Sequence, residues 1–160
     1  WGGATGTQVK IVRLQNVYGP GQSLINAYTG IVPLFVRMAK AGQSIPLYED
    51  GQIVRDFVLI DDVRDAILAA LDRDSAAGQT IDIGTGRMTT IADVAQVIAR
   101  RYHAPAPHVS GDYRNGDVRC GACNGEPARR LLDFQARHGL EEGLNLLMLD
   151  DAIPAGAKLC

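Results

Sequence analysis

The sequence predicts an α/β fold built on a parallel sheet that this chain does not complete. Short β-branched runs alternate with helical patterns, the order that produces a parallel sheet flanked by helices. Only residues 9–14 and 80–83 read as strands of such a sheet, whereas parallel sheets bury both faces and usually run to four strands or more. A length of 160 residues with 46% apolar composition suits a core of ordinary domain size.

Taken in order, residues 9–14 (VKIVRL) form a β-branched run that meets Asn16, Tyr18, Gly19, Pro20 and Gly21 at once. A strand opening into an irregular loop is therefore expected. Residues 30–42 carry Ile31, Leu34, Phe35 and Met38 at helical spacing, with Pro33 near the start and Gly42 past the end, which predicts a helix. Residues 44–48 and 55–60 are β-prone and separated by Glu49, Asp50 and Gly51; the Asp-Gly turn signal leads us to expect that they pair or lie close together. Asp61 and Asp62 precede Val63, Ala66, Ile67, Ala70 and Leu71, a helix of about three turns with acidic residues where the helix dipole favours them. Residues 80–83 are a second strand ending in Gly84-Thr85-Gly86, and Thr90 to Asp93 has the form of a capping box opening a helix through Ile91, Val94, Ala95 and Ile98. Residues 104–108 read as a linker, and residues 126–132 and 140–149 as shorter helices.

Composition excludes several function classes. Sixteen Lys and Arg against 18 Asp and Glu give a net charge of -2, which provides no electrostatic attraction for nucleic acid or an anionic membrane. The apolar runs are far shorter than a membrane span of roughly 18 to 20 residues. Three cysteines do not make a disulfide framework, so a reducing, cytoplasmic compartment is expected. The chain opens on Trp1 and passes directly into Gly2-Gly3-Ala4-Thr5-Gly6, so it reads as part of a longer protein.

Three ordered segments carry a resemblance: Arg13-Leu-Gln-Asn16-Val-Tyr18-Gly19-Pro20-Gly21, then Gly51-Gln-Ile-Val-Arg55-Asp56-Phe57-Val58-Leu-Ile-Asp61-Asp62-Val63, then Asp82-Ile-Gly84-Thr85-Gly86. Together they resemble the C-terminal half of the extended short-chain dehydrogenase/reductase family, the NAD-dependent sugar-nucleotide epimerases and dehydratases. The run from Gln22 to Gly30, with Asn26, Tyr28 and Thr29, looks most like the dTDP-L-rhamnose 4-epimerase subgroup. The resemblance implies the C-terminal part of a Rossmann-like NAD(P)-binding fold with a small mixed α/β substrate-binding domain. It assigns residues 8–16 and 61–103 to the cofactor domain, interleaved with a sugar-nucleotide domain of residues 17–60 and 104–150. NAD is the implied cofactor, a nucleotide-diphosphate sugar the implied ligand, and a homodimer the implied complete enzyme.

A nucleotide diphosphate calls for a bidentate cation and neutral donors, which Arg55 and Asn16 supply in kind. In the family the corresponding residues contact the diphosphate. Arg114 and Asp117, in Tyr113-Arg114-Asn-Gly116-Asp117-Val-Arg119, match a segment whose Arg reaches the diphosphate and whose Asp reaches the ribose; Arg119 is a weaker candidate. Leu47 and Tyr48 match a strand lining the nucleobase, and the backbone at Gln15 is the one expected touch on NAD. Each has a plainer alternative: Asn16 closing its own turn, Arg55 paired with Asp56 or Asp61, a solvated 113–119 loop, and a half-buried edge strand at 46–48. The chain departs from the family pattern at Leu59, Cys120 and Cys123-Asn124, where His, His and Asp are usual.

The family's chemistry also needs a Gly-rich loop after its first strand and a Tyr-x-x-x-Lys pair for proton transfer. Gly3-Ala4-Thr5-Gly6 precedes a strand instead of following one, and no tyrosine has Lys four residues on. No catalytic residue is assigned, and the isolated chain is expected to be inactive. The alternatives are a sugar-nucleotide-binding module without turnover, and a small metal or thiol protein using Cys120-Gly-Ala-Cys123. A lone CxxC is thin support for the last, and no metal is expected.

Overall fold

The computed structural model describes residues 2–23 and 30–149. Trp1, and the stretch with Asn26, Tyr28 and Thr29, lie outside them. After a single helical turn, α1 (Gly2–Thr5), the chain forms β1 (Ile11–Leu14), which pairs in parallel with β6 (Thr80–Ile83) in the register Ile11 to Thr80 and Leu14 to Ile83. Both are strands the sequence predicts for the parallel sheet, and the structure makes them neighbours.

The expected loop after β1 is instead a strand, β2 (Asn16–Tyr18), parallel to β5 (Phe57–Leu59). At Gln15 the chain changes partners: the Gln15 N–H donates to Ile83 O at 2.9 Å and the Asn16 N–H to Asp56 O at 2.9 Å. The turn formers begin only at Gly19. Nor do the two β-prone runs flanking Asp50 pair with each other. β3 (Pro46–Leu47) pairs with β8 (His108–Val109), part of the segment expected to be a linker, and β4 (Val54–Arg55) lies between β7 (Thr89–Thr90) and β9 (Cys120–Gly121). The Asp50-Gly51 turn reverses the chain without forming a hairpin, because the Gly51 carbonyl accepts from Ala92 N–H at 3.0 Å and draws the turn toward another helix.

The helices follow their sequence signals. α2 (Ile31–Lys40) is followed after Ala41 by Gly42, whose φ of 69° suits a residue without Cβ. α3 (Ile60–Asp72) carries Asp61 and Asp62 in its first turn. α4 (Ile91–Arg101) has a complete capping box, with Asp93 N–H to Thr90 Oγ1 at 3.0 Å and Thr90 N–H to Asp93 Oδ2 at 3.2 Å. α5 (Glu126–Leu132) and α6 (Leu140–Leu149) complete the chain.

Two cores result. One gathers Phe35, Val36, Ile45, Leu47, Phe57, Val94, Ile98 and Leu144 between α2, α4 and α6. The other gathers Val58, Val63, Ala66, Ile81, Ile83, Ala128 and Leu132 between β6, α3 and α5. β5 joins them, since Val58 faces one and Phe57 and Leu59 the other, as alternation along a strand requires. Leu59, at the position where the family usually has His, is buried.

Candidate functional site

β4 carries the centre of the site. Arg55 is its last residue, and β9 beside it delivers the 110–119 loop. Arg55 Nη2 donates to Asp117 Oδ1 at 2.7 Å, and Nη1 donates to the carbonyls of Val54 at 2.8 Å and Val118 at 2.6 Å. Neither Asp56 nor Asp61 is its partner; the pairing reaches across 62 residues to the loop singled out on other grounds. Arg114 lies with its guanidinium carbon 5.9 Å from the centre of the Tyr48 ring, within cation–π range. Two pairs result, Arg55 with Asp117 and Arg114 with Tyr48, joined along the loop where Asp117 N–H donates to Arg114 O at 3.2 Å.

The other predicted residues are placed differently. Leu47 is in the first core, and its carbonyl accepts from Ser110 N–H at 2.9 Å, so Tyr48 alone of the pair presents a side chain outward. Asn16 is exposed on β2, and its side-chain amide has no hydrogen-bond partner among the described residues. Its expected role in closing its own turn is not seen. Gln15 has given its N–H to Ile83, which leaves no backbone donor there for a cofactor. Arg119 is not directed at Arg55 or Arg114: Nη1 donates to Glu49 Oε2 at 2.9 Å and Asp50 Oδ1 at 2.7 Å, and Nη2 to Asp50 Oδ2 at 2.7 Å.

Sequence reasoning missed Asp56. Fully buried, it accepts from Thr85 N–H at 2.9 Å, Thr85 Oγ1 at 2.6 Å and Gly86 N–H at 2.8 Å, and from the Cys123 thiol at 3.3 Å. A buried carboxylate is tolerated only when donors surround it in this way. The Gly84-Thr85-Gly86 loop therefore already holds an anion of its own and is no phosphate cradle. A Cβ on Gly84 would stand 2.5 Å from Asp56 Oδ2 and 2.7 Å from both Cys123 Sγ and Gln15 Cγ, so only glycine fits. The available signal was position, an Asp directly after Arg55 and just ahead of the apolar run Phe57-Val58-Leu59. A second buried carboxylate, Asp62, accepts from the N–H groups of Arg137 and His138 at 3.2 Å each and contacts His138 Nδ1 at 3.0 Å, tying the segment after α5 to α3.

Burial, then the neighbouring Asp56, pushes the Cys123 thiol up to about 11, the reverse of an activated cysteine. Among the described residues no three His, Cys, Asp or Glu side chains gather as a metal site would require, and no helix is long and apolar enough to cross a membrane. A dinucleotide needs a glycine-rich turn with unoccupied N–H groups. The turn after β6 has its Thr85 and Gly86 N–H groups on Asp56, so it does not fit NAD's pyrophosphate.

Residues 1–84 match the NAD dependent epimerase/dehydratase family. The chain belongs to that family. Among epimerase/dehydratase relatives, it is 52% identical to the dTDP-L-rhamnose 4-epimerase of Burkholderia thailandensis over 92% of this chain and 40% of the relative. It is 33% identical to the UDP-glucose 4-epimerase of Mycolicibacterium smegmatis over 81% of this chain and 41% of the relative. The fold is similar to the crystal structure of UDP-glucose 4-epimerase with UDP-glucose from Thermotoga maritima, with a TM-score of 0.85 and 30% identity over 93% of this chain and 47% of that one. The chain thus spans less than half the length of these relatives.

Proposed function

We propose that this chain is the nucleotide-sugar-recognising part of an NAD-dependent sugar-nucleotide epimerase or dehydratase, of a kind similar to dTDP-L-rhamnose 4-epimerase, and is not catalytically complete alone. The observation that carries the proposal is that one loop brings Asp117 to Arg55 and Arg114 to Tyr48, so that these four residues from three separate segments are tied together. Such a cluster offers two guanidinium groups for a diphosphate, an aromatic face for a base and a carboxylate for a ribose hydroxyl. Asn16, with its uncommitted amide, adds a neutral donor. Residues 8–16 and 61–103 would belong to the cofactor domain, and residues 17–60 and 104–150 to the substrate domain. The complete enzyme would hold NAD mainly through other residues, in a cytoplasmic homodimer.

Epimerisation at a sugar carbon removes a hydride from the carbon and a proton from its hydroxyl, then returns the hydride to the other face and the proton to the oxygen. When bound, NAD supplies the hydride acceptor. This chain's residues bind and orient the diphosphate end; no Tyr-x-x-x-Lys pair is present for the proton. Isothermal titration of the chain with dTDP and UDP tests the recognition, with saturable binding expected for at least one. Incubation with NAD and dTDP- or UDP-sugars is expected to give no conversion, and multiple turnovers would overturn the incomplete-catalyst reading.

A further inference from the structure

We propose that Arg119 is a positioning residue, a clamp that sets the gap between Tyr48 and Arg114, and not a phosphate ligand. The proposal deepens the nucleotide-binding reading and rests on it. Residues 111–119 are exposed throughout, so packing does not hold this loop in place. At its entry, Ser110 N–H donates to Leu47 O and Glu49 N–H donates to Asp112 O at 2.7 Å. At its exit, Val54 N–H donates to Arg119 O at 2.9 Å, and the Arg119 fork reaches back to Glu49 and Asp50. The side chain thus closes a ring of contacts around the segment that bears Arg114 and Asp117.

The receiving turn is built for a cation. Glu49 has a φ of 52°, left-handed backbone that ordinary residues avoid, and Gly51 follows with a φ of 75°. Asp50 Oδ1 also accepts from Gln52 N–H at 2.9 Å, which fixes the carboxylate facing the guanidinium. Two adjacent carboxylates repel unless a cation sits between them, and Arg119 binds Asp50 bidentately, the geometry in which Arg is not replaceable by Lys. Its hydrogen bonds hold the Asp50 carboxyl well below the usual range. Tyr48 immediately precedes this turn, so the clamp fixes the aromatic face on one side and the Arg114 loop on the other.

A thermodynamic cycle on the 160-residue chain separates a clamp from a ligand. Arg119→Gln, Asp50→Asn and the double variant are titrated with dTDP, UDP and thymidine, and amide exchange is followed over residues 112–118. For a clamp, both single variants weaken dTDP or UDP binding on the order of fivefold and the double variant weakens it no further, the scale of an exposed ion pair. Thymidine, which has no phosphate, weakens alike, the loop amides exchange faster, and the melting temperature stays within about 2 °C. Arg119→Lys restores little. Loss confined to the phosphorylated ligands, with Asp50→Asn neutral or tighter, would overturn the proposal in favour of direct phosphate contact. Absence of any wild-type binding would overturn the nucleotide reading alone; unchanged exchange in Arg119→Gln would then overturn the clamp.

Discussion

At the scale of single residues, Arg55 and Cys123 show how neighbours decide a role. Arg55 is one-fifth exposed with three hydrogen bonds already made, so it is held in place before any ligand arrives. Arg55→Ala is expected to weaken dTDP or UDP binding by about 1.5–3 kcal/mol, the range for a charge-assisted hydrogen bond, as read by titration calorimetry. A change in melting temperature with unaltered affinity would assign Arg55 to loop support alone. Cys120 is exposed while Cys123 faces Asp56, so iodoacetamide at pH 8 is expected to label Cys120 at least about tenfold faster, as mass spectrometry of timed samples will read. The raised Cys123 pKa makes the folded chain hold that proton more tightly than the unfolded one. Its contribution to stability is complete below the ordinary thiol value of 9.0 and is lost as pH climbs through about 11. The Arg55 cluster was legible because motif and charge chemistry pointed to the same positions. Asp56 and the Arg119 clamp were not, because an acidic residue beside an Arg looks the same in sequence whether it faces that Arg or a loop 30 residues away.

At the scale of elements, the helices were legible and much of the sheet was not. Periodicity, capping and a terminal glycine act within a few residues, and α2 and α4 begin and end close to where those signals stand. Two-residue strands such as β3 and β8 carry almost no periodic signal, and their pairing is settled by segments 62 residues apart. β2 was hidden for another reason: Asn16 and Tyr18 resemble a turn in type, yet Tyr18 is buried edge-on against Phe57 with ring centres 6.4 Å apart. Its hydroxyl reaches Leu140 O at 3.4 Å, and burial, Asp62 and Glu142 push the phenol upward. α6 comes so close that a Cβ on Gly143 would overlap the Tyr18 hydroxyl. Gly143→Ala is therefore expected to cost about 1–3 kcal/mol in urea unfolding, as overpacking does, and Tyr18→Phe in the same chain to recover part of the loss.

At the scale of the whole molecule, the edge of β1 opposite β6 is unpaired among the described residues, and Val9, Ile11 and Leu14 stand more than two-fifths exposed. Leu68 and Leu71 on α3 are also exposed, and Lys10 Nζ donates to Leu71 O at 3.0 Å, placing the end of α3 beside this edge. An open edge with apolar surroundings invites association. Size-exclusion chromatography with light scattering is expected to show concentration-dependent self-association of the chain, and a strict monomer with a sharp melt would show that the surface is tolerated in water. The partner change at Gln15 has a kinetic consequence as well. One short stretch of chain must close onto residues 80–83 with one half and onto residues 57–59 with the other, and among the described residues no ladder is a hairpin between neighbours in sequence. Each ladder therefore closes a long loop before it gains a hydrogen bond. High contact order slows folding, so the helices can form early while every strand edge waits, and the interval in which this chain is most adhesive is the one before it has any sheet at all.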